Sequence, residues 1–82
     1  MNLYYIYNMK TLILLISLVI LDSQTKEKLT GVSIKTKEHT YYSDIYGIVT
    51  IPSSDTCKIS FVSYKGVEIL PKKDTVIFLD PR

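Results

Sequence analysis

The sequence predicts an all-β chain: a small antiparallel Greek-key β-sandwich of six or seven strands, preceded by an apolar N-terminal segment. Three observations predict it. Short apolar runs recur at spacings of roughly ten residues, the interval of sandwich strands. Turn-forming Gly, Pro, Asp and Ser separate those runs. After residue 22 no stretch carries the 3.6-residue apolar period of a helix.

The composition sets the scale. At 82 residues the chain has room for one domain. A domain of this size buries only about 60% of the surface its unfolded chain exposes. Hydrophobic residues make up 46% of the chain, enough for a globular core. The net charge is +2, with Lys and Asp/Glu intermixed. Lys35 and Lys37 are broken by Glu38, and Lys72-Lys73 lies far away in sequence. No basic stripe of the kind that tracks a phosphate backbone is present, so no nucleic-acid partner is expected. Cys57 is the sole cysteine, which excludes an intrachain disulfide.

The N-terminus comes first. Tyr4, Tyr5 and Tyr7 interleave with Leu3 and Ile6, and Lys10 is the lone charge before an apolar run from Thr11 to Leu21. That run is short of the ~20 residues of a membrane-spanning helix. A signal core of about 7–15 apolar residues after a positive charge fits it better, although no small-residue cleavage site follows. Residues 1–15 are therefore read as a signal-like or anchoring segment and 16–82 as the sandwich domain. Ile16–Asp22 is its first strand, expected at or near a sheet edge. The alternative is one long buried strand over the whole run, against a usual strand length of about 5–6 residues.

Asp22 to Lys28 contains no apolar residue and reads as a loop, with Asp22 and Thr25 capping its turn. Val32 and Ile34 alternate with Ser33 and Lys35 in a second strand. Lys37-Glu38-His39 reverses the chain. Thr40–Ser43 suits a strand, and Asp44-Ile45-Tyr46-Gly47 suits a tight turn: Asp bonds the backbone ahead of it and Gly takes positive φ. Ile48–Ile51 then alternates, so the three pieces together predict a hairpin. Pro52–Asp55 is a loop. Lys58–Tyr64 is the clearest strand, followed by a bend at Gly66, a short strand over Val67–Leu70, a polar turn at Lys72–Asp74 and a last strand over Thr75–Leu79. The predicted core is Val19, Leu21, Val32, Ile34, Val49, Ile51, Ile59, Phe61, Val76 and Phe78.

Candidate chemistry is sparse. His39 is the sole histidine and falls in a turn, with no second ligand at metal spacing. Asp22, Asp44, Asp55 and Asp74 all fall at turns, where they form the turn rather than converge on calcium. Cys57 opens a strand as a small semi-buried hydrophobe. Gly31, Gly47 and Gly66 are too widely separated for a phosphate loop. Tyr41, Tyr42, Tyr46 and Tyr64 offer either an exposed aromatic patch or cross-strand packing, and packing is the expectation. No catalytic, cofactor-binding or metal-ligating residue is assigned.

Three stretches carry a family resemblance. Leu21-Asp22-Ser23-Gln24-Thr25 with Leu29-Thr30-Gly31-Val32-Ser33-Ile34 resembles the opening of a carboxypeptidase-regulatory-like domain. Ser43-Asp44-Ile45-Tyr46-Gly47-Ile48-Val49-Thr50-Ile51 resembles its second signature, and Ile59 to Gly66 its third, a strand ending in Ser-Tyr-x-Gly. The ordered set spans Leu18 to Leu79. Val49 stands where Phe is usual and Val67 where Tyr is usual. The resemblance implies a small transthyretin-like sandwich without the zinc ligands of the catalytic domain. It implies an accessory module, as found beside carboxypeptidases and at the N-terminus of envelope proteins such as TonB-dependent receptors. The expected function is non-enzymatic: a protein-interaction or structural module of a bacterial cell envelope, exported to the periplasm or outer membrane. Its expected partner is an envelope protein, with membrane attachment through the N-terminal segment. The alternative is a small ligand-binding or hydrolytic protein on the same fold.

Overall fold

The computed structural model describes residues 15–52 and 56–82. The signal-like segment up to Leu14 and the loop residues 53–55, Asp55 among them, lie outside the described residues. Within them the chain forms seven strands: β1 (Leu15–Asp22), β2 (Ser33–Lys35), β3 (Thr40–Tyr42), β4 (Ile48–Pro52), β5 (Cys57–Ser60), β6 (Val67–Ile69) and β7 (Thr75–Leu79). They make a three-stranded sheet in the order β4-β1-β7 and a four-stranded sheet in the order β3-β2-β5-β6. Residues of both sheets share one buried cluster, which gives the two layers a common core.

β1 sits in the middle of its sheet, not at an edge. It pairs antiparallel with β4, Val19 opposite Ile48, and parallel with β7, Val19 opposite Val76. A strand flanked on both sides makes both of its rows of backbone bonds, which explains why an eight-residue run outlasts the others. The β1–β7 pair is also the parallel exception in an otherwise antiparallel set. Parallel neighbours need a long crossover, and here β2 to β6 supply it.

The expected hairpin around Gly47 does not form, although its turn does. β3 pairs with β2, while β4 pairs with β1 in the other sheet. The turn therefore carries the chain from one layer to the other. Asp44 Oδ1 accepts the N–H groups of Tyr46 (2.8 Å) and Ile48 (3.0 Å), and the Gly47 N–H donates to Asp44 O at 2.9 Å. Local chemistry set the turn, but sheet membership was decided by β1, whose long apolar edge captures β4.

β5 is shorter than predicted and ends at Ser60. Phe61 and Tyr64 close a turn in which Ser63 adopts φ 70°. That turn is stitched to the C-terminus: the Lys65 N–H donates to Asp80 O, and the Arg82 N–H to Ser63 O. Phe61 is thus only half-buried, and Val62 points into solvent.

The core differs from expectation in the first and last strands. Ile16, Leu18 and Ile20 of β1 are buried, as are Ile77 and Leu79 of β7. Val19 and Leu21 are intermediate, and Val76 and Phe78 are 51% and 47% exposed. Both strands are apolar on both faces, so alternation alone leaves the inward face open, and choosing the wrong parity inverts every side chain. Val32, Ile34, Val49, Ile51 and Ile59 are buried as predicted, and Leu29 and Cys57 join them.

Candidate interaction surface

The three stretches that carry the family resemblance meet at the C-terminal end of β1. Ile20 is the crossing point. Its N–H donates to Gly47 O (2.8 Å) and its carbonyl accepts the Leu29 N–H (3.0 Å). Gly47 has φ +73°, and a Cβ built there would lie 2.8 Å from Ile20 O and 3.3 Å from Leu29 N. Only glycine both takes that φ without strain and lets the two backbones approach. Two residues on, Asp22 Oδ1 accepts the N–H groups of Gln24 (2.7 Å) and Thr25 (2.9 Å), while Oδ2 accepts the Tyr64 hydroxyl at 2.6 Å. Ser43 completes the cluster. It is buried, donates to Leu29 O at 2.7 Å and accepts the Val32 N–H at 3.0 Å.

This convergence has the look of a site, but its chemistry is that of a fastening. No buried side-chain nitrogen or oxygen among the described residues lacks a hydrogen-bond partner. Asp22 accepts three hydrogen bonds from the fold, two at Oδ1 and one at Oδ2. Its pKa is lowered from 3.8, first by the Tyr64 hydroxyl and then by the Thr25 N–H, against an opposing contribution from burial. The Tyr64 pKa is raised from 10.0, first by its bond to Asp22 and then by burial.

The linkage follows from these directions. Asp22 contributes stability above its ordinary value of 3.8, lost as pH falls through the lowered folded value. Tyr64 contributes below its ordinary value of 10.0, lost as pH rises through the raised folded value. Both describe one bond. The melting temperature of Tyr64→Phe should fall below that of the wild type between those limits, and the gap should narrow beyond each. A gap that stays constant from acid to alkali, measured by thermal melts across pH, would show that the bond contributes nothing.

The other candidate residues stay apart. His39 is exposed in the β2–β3 turn, its ring edge-on to Tyr41 at 6.0 Å, and Cys57 is buried at the start of β5. No group of three or more His, Cys, Asp or Glu able to hold a metal occurs among the described residues. Asp74 accepts the Ser17 N–H at 2.8 Å and secures the start of β7 to β1. Among the described tyrosines, Tyr41 packs on the core, Tyr64 stacks on Phe61, Tyr42 is exposed on β3 and Tyr46 is exposed in the turn before β4.

What remains is surface shape. The face of the β4-β1-β7 sheet turned away from the core carries Leu15, Val19 and Leu21, with Ile48 on one side and Val76 and Phe78 on the other. The edge of β7 is continuous with a groove of about 560 Å³ lined by Val67, Ile69, Leu70, Pro71 and Ile77. On the other sheet Lys35, Lys58 and Glu68 line a polar depression of about 410 Å³. The sequence reading missed the outer apolar face because it had placed Val19, Leu21, Val76 and Phe78 inside.

Compared with family models and with curated proteins, the sequence matches none.

Proposed function

We propose that the chain is a non-enzymatic accessory module of a bacterial cell-envelope protein, of the carboxypeptidase-regulatory-like kind. One observation carries the reading. The stretches that resemble the family's three signatures lie far apart in sequence, yet their Asp22, Gly47 and Tyr64 converge on the end of β1. Residues with a shared structural duty account for such a pattern without any reaction. The polar groups gathered there are engaged by hydrogen bonds, and the groove beside β7 is lined mainly by apolar side chains. The module's work then lies in the surfaces it presents, to an envelope protein or to the membrane beside it.

Fractionation of the native cells, with mass spectrometry of the intact protein, tests the reading. The chain is expected in the envelope fraction, with β1 retained. Recovery wholly in the soluble cytoplasm would contradict it. Ester or peptide hydrolysis by the purified chain that disappears in His39→Ala would contradict its non-enzymatic part.

A further inference from the structure

We infer that the outer face of the β4-β1-β7 sheet is a docking surface for an anionic lipid bilayer. The inference rests on the envelope reading and names the surface that reading leaves open.

The face is apolar where solvent exposure alone would favour polar side chains. The register places Ile48, Val19 and Val76 in one row across the three strands, with Leu21 and Phe78 in the next. Val76 is 51% and Phe78 47% exposed. A sheet with one solvated face normally alternates apolar-in and polar-out. Here, Ser17 apart, the outward positions of β1 and β7 are apolar, close to the pattern of strands covered twice.

Charge says what covers them. At the C-terminal end of β1, Lys26 Nζ lies 4.8 Å from the Phe78 ring centroid and Lys28 Nζ lies 5.7 Å from that of Tyr46. Lys28 also bridges to Leu21 of the apolar row. At the opposite end Lys72 and Lys73 line a depression with Leu15 and Ile16. Lysines thus lie near both ends of the sheet, Lys26 and Lys28 with Nζ over aromatic rings and Lys72 and Lys73 beside Asp74 at the Leu15 end. The neighbouring acids are Asp74, which accepts the Ser17 N–H, and the exposed Glu27, whose Oε1 accepts the Thr25 hydroxyl at 3.4 Å. An apolar patch set among lysines and aromatic rings matches the boundary between acyl chains and anionic headgroups. There apolar burial and electrostatic attraction act together.

Continuity of the chain favours the same occupant. Residues 1–14, with Tyr4, Tyr5 and Tyr7 and the single charge of Lys10, join this sheet at Leu15, beside Lys72 and Lys73. Tyrosine favours the membrane–water interface.

The test is co-sedimentation of the full chain with vesicles of phosphatidylglycerol and phosphatidylethanolamine, against vesicles of phosphatidylcholine alone. Binding is expected to the anionic vesicles and to weaken at high salt. Each lysine near an anionic surface is worth about 1 kcal/mol, so Lys26→Ala/Lys28→Ala should weaken binding by about 30-fold. Val76→Ser/Phe78→Ser should weaken it by roughly tenfold or more. Lys35→Ala/Lys58→Ala removes the same charge from the other sheet and should leave it within about threefold. Wild-type binding by both face variants would assign the membrane contact to residues 1–14 and overturn the inference. Equal binding to both vesicle types, or to neither, would also overturn it, the last leaving the face to a protein partner. If the serine variant fails to fold, the alanine pair still decides, because both lysines are exposed. A chain found in the envelope that does not bind vesicles defeats the docking surface alone; a chain found outside the envelope defeats the reading beneath it.

Discussion

Gly47→Val is expected to be among the most damaging single substitutions in the chain. Positive φ in a β-branched residue costs about 1–3 kcal/mol. The added Cβ would also press on Ile20 O at 2.8 Å, a backbone atom already accepting the Leu29 N–H. Relief requires β1 or the loop before β2 to move, and both belong to the fastening around Ile20. Each kcal/mol is worth about 4–8 °C of melting temperature in a domain this small. Gly31 is the control. Its φ is +80°, but a Cβ there meets nothing within 4 Å, so Gly31→Ala bears backbone strain without a clash. Thermal melts of Gly47→Ala and Gly31→Ala separate the two contributions. The Gly47 variant should melt markedly lower, and equal melting temperatures would mean that the close approach at Ile20 is not real.

The second large effect lies within β1. Leu18 and Ile20 are fully buried, while Val19 between them faces outward. Leu18→Ala or Ile20→Ala should cost about 2–5 kcal/mol, the transfer free energy of the lost methyl groups plus the cavity they leave. Val19→Ala removes fewer methyl groups from a half-exposed position and should cost well under half as much. In a small domain with little stability to spare, the Ile20 variant is expected to be partly unfolded at 37 °C. Comparable losses at positions 18, 19 and 20 in urea titrations would contradict the assigned faces.

The turns were legible in the sequence because their causes are local. Asp22, Thr25, Asp44 and Gly47 each act on backbone groups within a few residues, so residue type and spacing sufficed. The inward faces of β2 and β4 were legible because charged or polar residues mark the other side: Ser33 and Lys35 beside Ile34, and Thr50 beside Val49 and Ile51. Sheet membership was not legible. Asp44–Gly47 looks the same whether it closes a hairpin or crosses between layers, and the choice rests on β1, some thirty residues earlier. Nor were the faces of β7, where Val76 and Phe78 compete with Ile77 and Leu79 on equal terms. In β1 one marker was present. Between Leu15 and Leu21, Ser17 is the sole polar residue and shares its parity with Val19 and Leu21, so it points to the outward side. The Asp22–Tyr64 bond joins residues 42 apart in sequence, and only the fold brings them together.

The parity of β1 and β7 supports both the fastening at Ile20 and the lipid-facing surface, and methyl nuclear Overhauser contacts in solution read it directly. The methyl groups of Ile20, Ile77 and Leu79 should show contacts to those of Val32, Ile34 or Ile59 across the core. Those of Val19 should show contacts to Ile48 and to Val76, and neither Val19 nor Val76 should show contacts to the β2-β5 layer. Contacts from Val19 or Val76 to Ile34 or Ile59, with none from Ile20 or Ile77, would turn the sheet over and contradict the account.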